Sequence, residues 1–120
     1  MRLFLLTLTL LATLTGCASK SYVKFVDNSI SNYIEVDKVN ERTRADGFKE
    51  IEIVGENDTK YYKQFRYRVT WEDKDGFEVP SVSSKWRTFS AQKNAKFRIN
   101  VIAPSKEAVV YQLYIDKLND

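Results

Sequence analysis

The strongest constraint on the fold is an alternation of large apolar and polar residues in "KQFRYRVTW", residues 63–71. One set comprises Phe65, Tyr67, Val69 and Trp71, and the other comprises Gln64, Arg66, Arg68 and Thr70. Because successive side chains of a β-strand point to opposite faces, this pattern predicts a strand with one buried face and one polar face.

Other stretches repeat the pattern. "KFRINVIA" at 96–103 and "AVVYQLYID" at 108–116 alternate clearly, and the segments 22–26, 33–39 and 48–54 do so more weakly. Turn-forming residues at 45–47, 56–58, 73–76 and 103–105 separate them, and no sustained helical period follows residue 17. The sequence therefore predicts an all-β fold, an immunoglobulin-like two-sheet antiparallel β-sandwich of six or seven strands.

The N-terminus has the pattern of a secretory signal peptide. Met1-Arg2 supplies a positive end, and the apolar run at 3–14 is shorter than the roughly 20 residues of a membrane-spanning helix. "LTGC" at 14–17 resembles the bacterial lipobox, which implies cleavage before Cys17 and lipidation of its thiol. An ordinary signal peptide with a chance cysteine is the alternative. We expect a signal peptide at 1–16, a lipidated Cys17 with a short tether at 17–21, and one β-sandwich domain at 22–120.

The residues after Cys17 bear on localisation. By resemblance to bacterial lipoproteins, Ala18 and Ser19 favour the outer membrane, whereas an aspartate at position 18 would favour the inner membrane. We therefore expect lipid anchoring at the periplasmic face of the outer membrane. The tether at 18–21 would hold the domain close to that membrane.

Composition excludes several classes of function. The chain has no histidine and one cysteine, so the commonest general base and metal ligand are absent, and we expect no catalytic residues, no metal site and no cofactor. Removal of Arg2 with the signal peptide leaves 18 basic and 16 acidic residues. So small an excess of positive charge gives no reason to expect a nucleic-acid partner.

The pattern of the second half of the chain resembles a known family. "FRYRVTWEDKDGFEV", followed by "WRTFSAQKNAKFRINVIAP" and "AVVYQLYI", is similar to the YcfL-like family of bacterial periplasmic lipoproteins. The resemblance covers about residues 48–116 and the lipobox. It implies a β-sandwich framework and a lipid anchor, and it brings no catalytic residues.

One polar strand face is a candidate binding surface. Tyr62, Arg66 and Arg68 should share it, beside Arg98 or Tyr114 if either of those strands is a neighbour. Tyrosine and arginine are typical of protein interfaces, which suggests another envelope protein as the partner. The alternative is a solvated face whose arginines pair with nearby carboxylates. The sequence thus predicts a non-enzymatic protein-binding or structural module.

The acidic stretch after residue 71 and the two tryptophans each allow a second interpretation. The acidic stretch with Asp73 and Asp75 lacks the ligand pattern of a calcium loop, so we expect a hairpin turn. Trp71 lies on the apolar face of its strand and should be buried. We expect Trp86 to be buried as well. A solvent-facing Trp86 with a neighbouring tyrosine and an amide side chain would instead favour the alternative function, a peptidoglycan-binding module.

Overall fold

The computed structural model describes residues 23–118, so the predicted signal peptide, Cys17 and the tether lie outside the described residues. The described chain is built from eight strands. They are β1 (Val23–Phe25), β2 (Ile34–Thr43), β3 (Lys49–Asn57), β4 (Lys63–Glu72), β5 (Glu78–Val79), β6 (Arg87–Ala91), β7 (Ala95–Ile102) and β8 (Val110–Lys117). Short 3-10 turns at Asn28–Asn32 and Val82–Ser84 are its helical elements.

The strand with the clearest alternation, β4, lies at the centre of the larger sheet. It pairs antiparallel with β8 on one side and with β5 and β6, one after the other, on the other side. The first strand, β1, completes this five-stranded sheet by pairing parallel with β8, with Val23 opposite Leu113. The sheet is therefore mixed, whereas the sequence pattern predicted antiparallel strands throughout.

The second sheet has three antiparallel strands in the order β2-β3-β7. A β-bulge shifts the β2–β3 register between Val36 and Lys38. Gly55 on β3 leaves room for the Phe97 ring of β7, since a Cβ there would lie within 2.6 Å of the Glu35 carbonyl oxygen and closer still to that ring. Close packing therefore requires a glycine at this position.

Aromatic rings from both sheets meet in the core. The ring centroid of Phe65 lies 5.3 Å from that of Phe89 in its own sheet and 5.6 Å from that of Phe97 in the other. Trp71 is fully buried, and its indole N–H donates to the Ser83 hydroxyl at 3.1 Å, so burial leaves no unsatisfied donor. These contacts hold the two sheets face to face.

A buried polar side chain also links the sheets. Asn57, at the end of β3, is fully buried and donates to the carbonyl oxygens of Tyr61 at 2.8 Å and Ala91 at 3.2 Å. Its amide oxygen accepts from the Thr59 backbone N–H at 3.1 Å. The 56–58 segment, predicted as a turn, thus ends a strand and orders the loop that follows it.

The predicted all-β, two-sheet sandwich is confirmed, as is the inward direction of alternate residues on β4, β7 and β8. The described strands number eight where six or seven were predicted, since β5, which has two residues, and β6 were not among the segments identified from the alternation. Among residues 23–118, no helix has the length and apolar character needed to cross a membrane.

Candidate functional site

The outer face of the five-stranded sheet carries a group of arginine and aromatic side chains. Arg66 and Arg68 lie on β4, Tyr114 lies opposite Arg68 on β8, and Trp86 immediately precedes β6. We refer to Arg66, Arg68, Trp86 and Tyr114 as the arginine-aromatic patch. The predicted neighbour Tyr114 is thus present, whereas the alternative neighbour, Arg98, lies on β7 in the other sheet.

Arg66 is anchored by an ion pair within its own sheet. Its Nε and Nη2 donate to one carboxylate oxygen of Asp116, at 3.1 Å and 2.5 Å. The Asp116 side chain is only 10% exposed, and its other oxygen accepts from the Lys117 backbone N–H at 2.8 Å. The Arg66 charge is therefore neutralised by a partly buried partner that fixes the side chain.

Arg68 is held by aromatic rings instead. Its guanidinium carbon lies 4.7 Å from the ring centroid of Tyr114 and 5.1 Å from that of Trp86. Within residues 23–118 it forms no ion pair, and its buried Nε has no hydrogen-bond partner. The cation is thus oriented by cation-π contacts while its charge is not neutralised by a neighbouring carboxylate.

Trp86 is exposed, and the prediction that it is buried is wrong. The residue is 36% exposed, and the guanidinium carbon of Arg66 lies 4.4 Å from its ring centroid. The reason is its position in the strand period, since Trp86 continues the outward set of Thr88 and Ser90 while Phe89 points inward. That alternation in "WRTFSA" was the signal in the sequence that could have identified it.

Tyr62 does not join the arginine-aromatic patch. It lies ahead of β4, six residues before Arg68 and therefore on the order of 20 Å away along the strand. Its hydroxyl donates to the Ser90 hydroxyl at 2.6 Å and accepts from the Gln64 amide at 3.1 Å. The structure thus brings together three of the four predicted surface residues and leaves Tyr62 in a separate polar group on the same face.

The acidic stretch after β4 forms the expected hairpin turn between β4 and β5. One Asp73 carboxylate oxygen accepts from the backbone N–H groups of Asp75 and Phe77, both at 2.9 Å. Gly76 has a φ of 86°, which a residue with a Cβ rarely adopts. The Asp73 carboxylate therefore stabilises the turn.

One group of carboxylates was not anticipated from the sequence. Glu35, Asp37 and Glu56 on β2 and β3 each offer an oxygen within 4.8 Å of the others. The bulge in β2 brings Asp37 into this group. Glu35 and Asp37 are exposed to solvent, and no second observation points to a ligand, so we assign none.

The fold defines a small two-sheet β-sandwich with a polar and aromatic surface on its larger sheet. The chain belongs to the family described as "Protein of unknown function (DUF1425)", whose model matches residues 23–117. No curated protein matches the sequence.

Two crystal structures share this fold. Campylobacter jejuni cj0090 matches with a TM-score of 0.68 at 20% sequence identity, covering 81% of this chain and 98% of that one. A DUF1425 family member from Shewanella sp. pv-4 matches with a TM-score of 0.64 at 20% identity, covering 72% of this chain and 80% of that one. At this identity the similarity establishes the fold alone.

Proposed function

We propose that the protein is a YcfL-like lipoprotein of the bacterial envelope that binds another envelope protein, without enzymatic activity, through the arginine-aromatic patch. A lipid on Cys17 would anchor it to the periplasmic face of the outer membrane. The lipobox-like "LTGC" at 14–17 supports the anchor, and the absence of histidine from the chain supports a non-enzymatic role.

The observation that carries the proposal is the exposed Trp86, whose ring contacts the guanidinium groups of two arginines. Its ring centroid lies 4.4 Å from the Arg66 guanidinium carbon and 5.1 Å from that of Arg68. Tryptophan, tyrosine and arginine are the residues that most often dominate the energy of protein interfaces. Here they are held in place before a partner arrives, so little side-chain entropy remains to be lost on binding.

Site-specific photo-crosslinking in intact cells tests the binding surface. A photoreactive amino acid at Thr88, which lies opposite Arg66 and is exposed, should capture a discrete protein partner. The matched control is Asn100, exposed on the outer face of the other sheet. We expect capture at Thr88 to disappear in a Trp86→Ala background and to be absent at Asn100. Equal capture at both positions, or none at either, contradicts the proposal.

Glycan binding is the second candidate, and the exposure of Trp86 favours it, with Tyr114 on the other side of Arg68. A sugar ring could stack on an indole face that reaches solvent. Digestion of the crosslinked material with a muramidase separates the two candidates, since adducts to peptidoglycan would collapse to small species while adducts to a protein would keep their mass.

Cys17→Ser tests the anchor independently of the partner. Because Cys17 is the only cysteine, the variant should lose lipidation and leave the membrane fraction. Unchanged membrane fractionation of the variant, with a mature N-terminus at another residue, would show that the lipobox interpretation is wrong.

A further inference from the structure

Among the arginines of residues 23–118, Arg68 and Arg87 form no ion pair; Arg87 lies opposite Tyr67, on the other side of its strand, whereas Arg68 belongs to the outer face. Arg42, Arg44, Arg66 and Arg98 each lie within 4.0 Å of a carboxylate. Within residues 23–118, Arg68 has aromatic neighbours on two sides and no carboxylate partner. Its Nε is buried and unpartnered, which leaves the Nη groups as the part of the guanidinium available to a ligand.

The charge balance of the patch points to an anionic ligand. Asp116 neutralises Arg66, so the uncompensated positive charge comes from Arg68. Lys24 adds to it, since it is exposed on β1 and opposite Tyr114 in the same row across the sheet. A guanidinium fixed between rings presents its N–H groups in a defined plane, and a carboxylate matches that geometry.

We propose that Arg68 binds the side-chain carboxylate of an acidic segment in a partner protein, between the rings of Trp86 and Tyr114. This inference rests on the proposed function and adds the chemistry of the partner. A phosphate group carries about 1.5 to 2 negative charges at neutral pH and is best held by several cations. Since Arg66 is already neutralised and Lys24 lies two strands away on β1, the guanidinium of Arg68 suits one carboxylate better.

The test is a binding titration of the purified full-length chain by ¹⁵N NMR. The probes are a short peptide with blocked termini that carries glutamate among glycine and serine, the same peptide with glutamine for glutamate, and inorganic phosphate. The reporters are the Nε–H of Arg68, which burial protects from exchange, and the indole N–H of Trp86. We expect the glutamate peptide to shift both signals and to bind about tenfold more tightly than the glutamine peptide.

Variants separate a specific site from a general attraction to positive charge. Arg68→Gln should remove the shift of the Trp86 signal, and Arg68→Lys should restore it only in part, because an ammonium lacks the planar geometry. Arg98→Gln removes the same charge from the other outer face and should leave binding unchanged.

Equal binding of the two peptides, tighter binding of phosphate, or no shift at all would overturn the inference. Failure of this inference can be distinguished from failure of the proposed function. Peptide binding without crosslinked partners at Thr88 keeps Arg68 as a carboxylate site and removes the protein partner, whereas partner capture that survives Arg68→Gln keeps the partner and removes Arg68 as its site.

Discussion

The outer faces of the two sheets hold arginine in different surroundings. On the three-stranded sheet, Arg42 pairs with Glu50 at 2.7 Å and Arg98 pairs with Glu52 at 2.6 Å. On the five-stranded sheet, within residues 23–118, Arg66 has a carboxylate partner, while Arg68 lies against two aromatic rings. The first arrangement pairs each of these arginines with a carboxylate, whereas the second leaves a cation and an indole available to another molecule.

Apolar side chains show the same contrast. Val54 points outward from β3, yet it is only 4% exposed, because it lies between Lys38 and Arg98 in the register. The aliphatic parts of long charged side chains can cover such a residue. Trp86 on the other sheet has two arginines beside it and still reaches solvent. Alternation alone therefore does not identify a binding face; the neighbours across the strands decide it.

The largest effect is expected at Trp71, which lies in the core on the strand that carries Arg66 and Arg68. Trp71→Ala should lower the free energy of unfolding by about 3 to 5 kcal/mol, because it leaves a cavity and removes the indole N–H that donates to the Ser83 hydroxyl. Thr70→Ala, on the opposite side of the same strand, should cost well under half as much. Chemical denaturation measures both, and equal losses would mean that the face assignment of β4 is wrong.

A smaller effect is expected from Asp116→Ala. The variant leaves Arg66 without the partly buried carboxylate that accepts two of its hydrogen bonds, so stability should fall by about 2 to 3 kcal/mol. The fluorescence of Trp86 should change as well, because Arg66 stacks on its ring. A loss of stability below about 0.5 kcal/mol would mean that the Arg66–Asp116 pair contributes no more than an exposed ion pair on the other face.

The matched change on the other face is Glu52→Ala. Glu52 accepts from both Arg98 and Asn40, but Arg98 is largely exposed, so the expected loss is about 0.2 to 1 kcal/mol. Added salt should shrink this loss and should affect the Asp116→Ala loss less. Denaturation at low and high ionic strength checks the difference, and a larger loss for Glu52→Ala than for Asp116→Ala would reverse the comparison.

The smallest effect is expected at the β1 edge of the five-stranded sheet and depends on pH. Hydrogen bonds from the Ser29 side chain and backbone, together with Lys117, lower the pKa of Asp27 from 3.8 to about 2. A lowered pKa in the folded state stabilises the protein above pH 3.8, and that contribution disappears as the pH falls towards 2. Acid titration of stability should therefore be shallower for Asp27→Asn in this range. Identical titrations would show that the carboxylate is not linked to folding.

The alternation within single strands made much of the fold predictable. It gave the inward sets of β4, β7 and β8, and it would also have given the outward direction of Trp86 had the period been extended to "WRTFSA". The turn at 73–76 was equally clear, because the hydrogen bonds of Asp73 and the positive φ of Gly76 depend on neighbouring residues. These features depend on residues close together in sequence.

Features that depend on distant residues were not predictable. The parallel partner of β1 lies at the other end of the chain, and three residues carry too little pattern to show it. The Asp116 partner of Arg66 and the aromatic neighbours of Arg68 follow from the β4–β8 and β4–β6 registers. The candidate surface could thus be predicted as one face of a strand. That Arg68 has no carboxylate partner within residues 23–118 became visible in the structure.

The pairing of β1 with β8 also constrains the order in which the molecule can fold. Val23 and Leu113 are about 90 residues apart, so β1 emerges first during synthesis and has no partner until nearly the whole chain exists. Closing so long a loop is slow compared with forming the hairpin of β4 and β5. The first strand should therefore be among the last elements to dock, and a chain interrupted before residue 113 would leave it without its hydrogen-bonding edge.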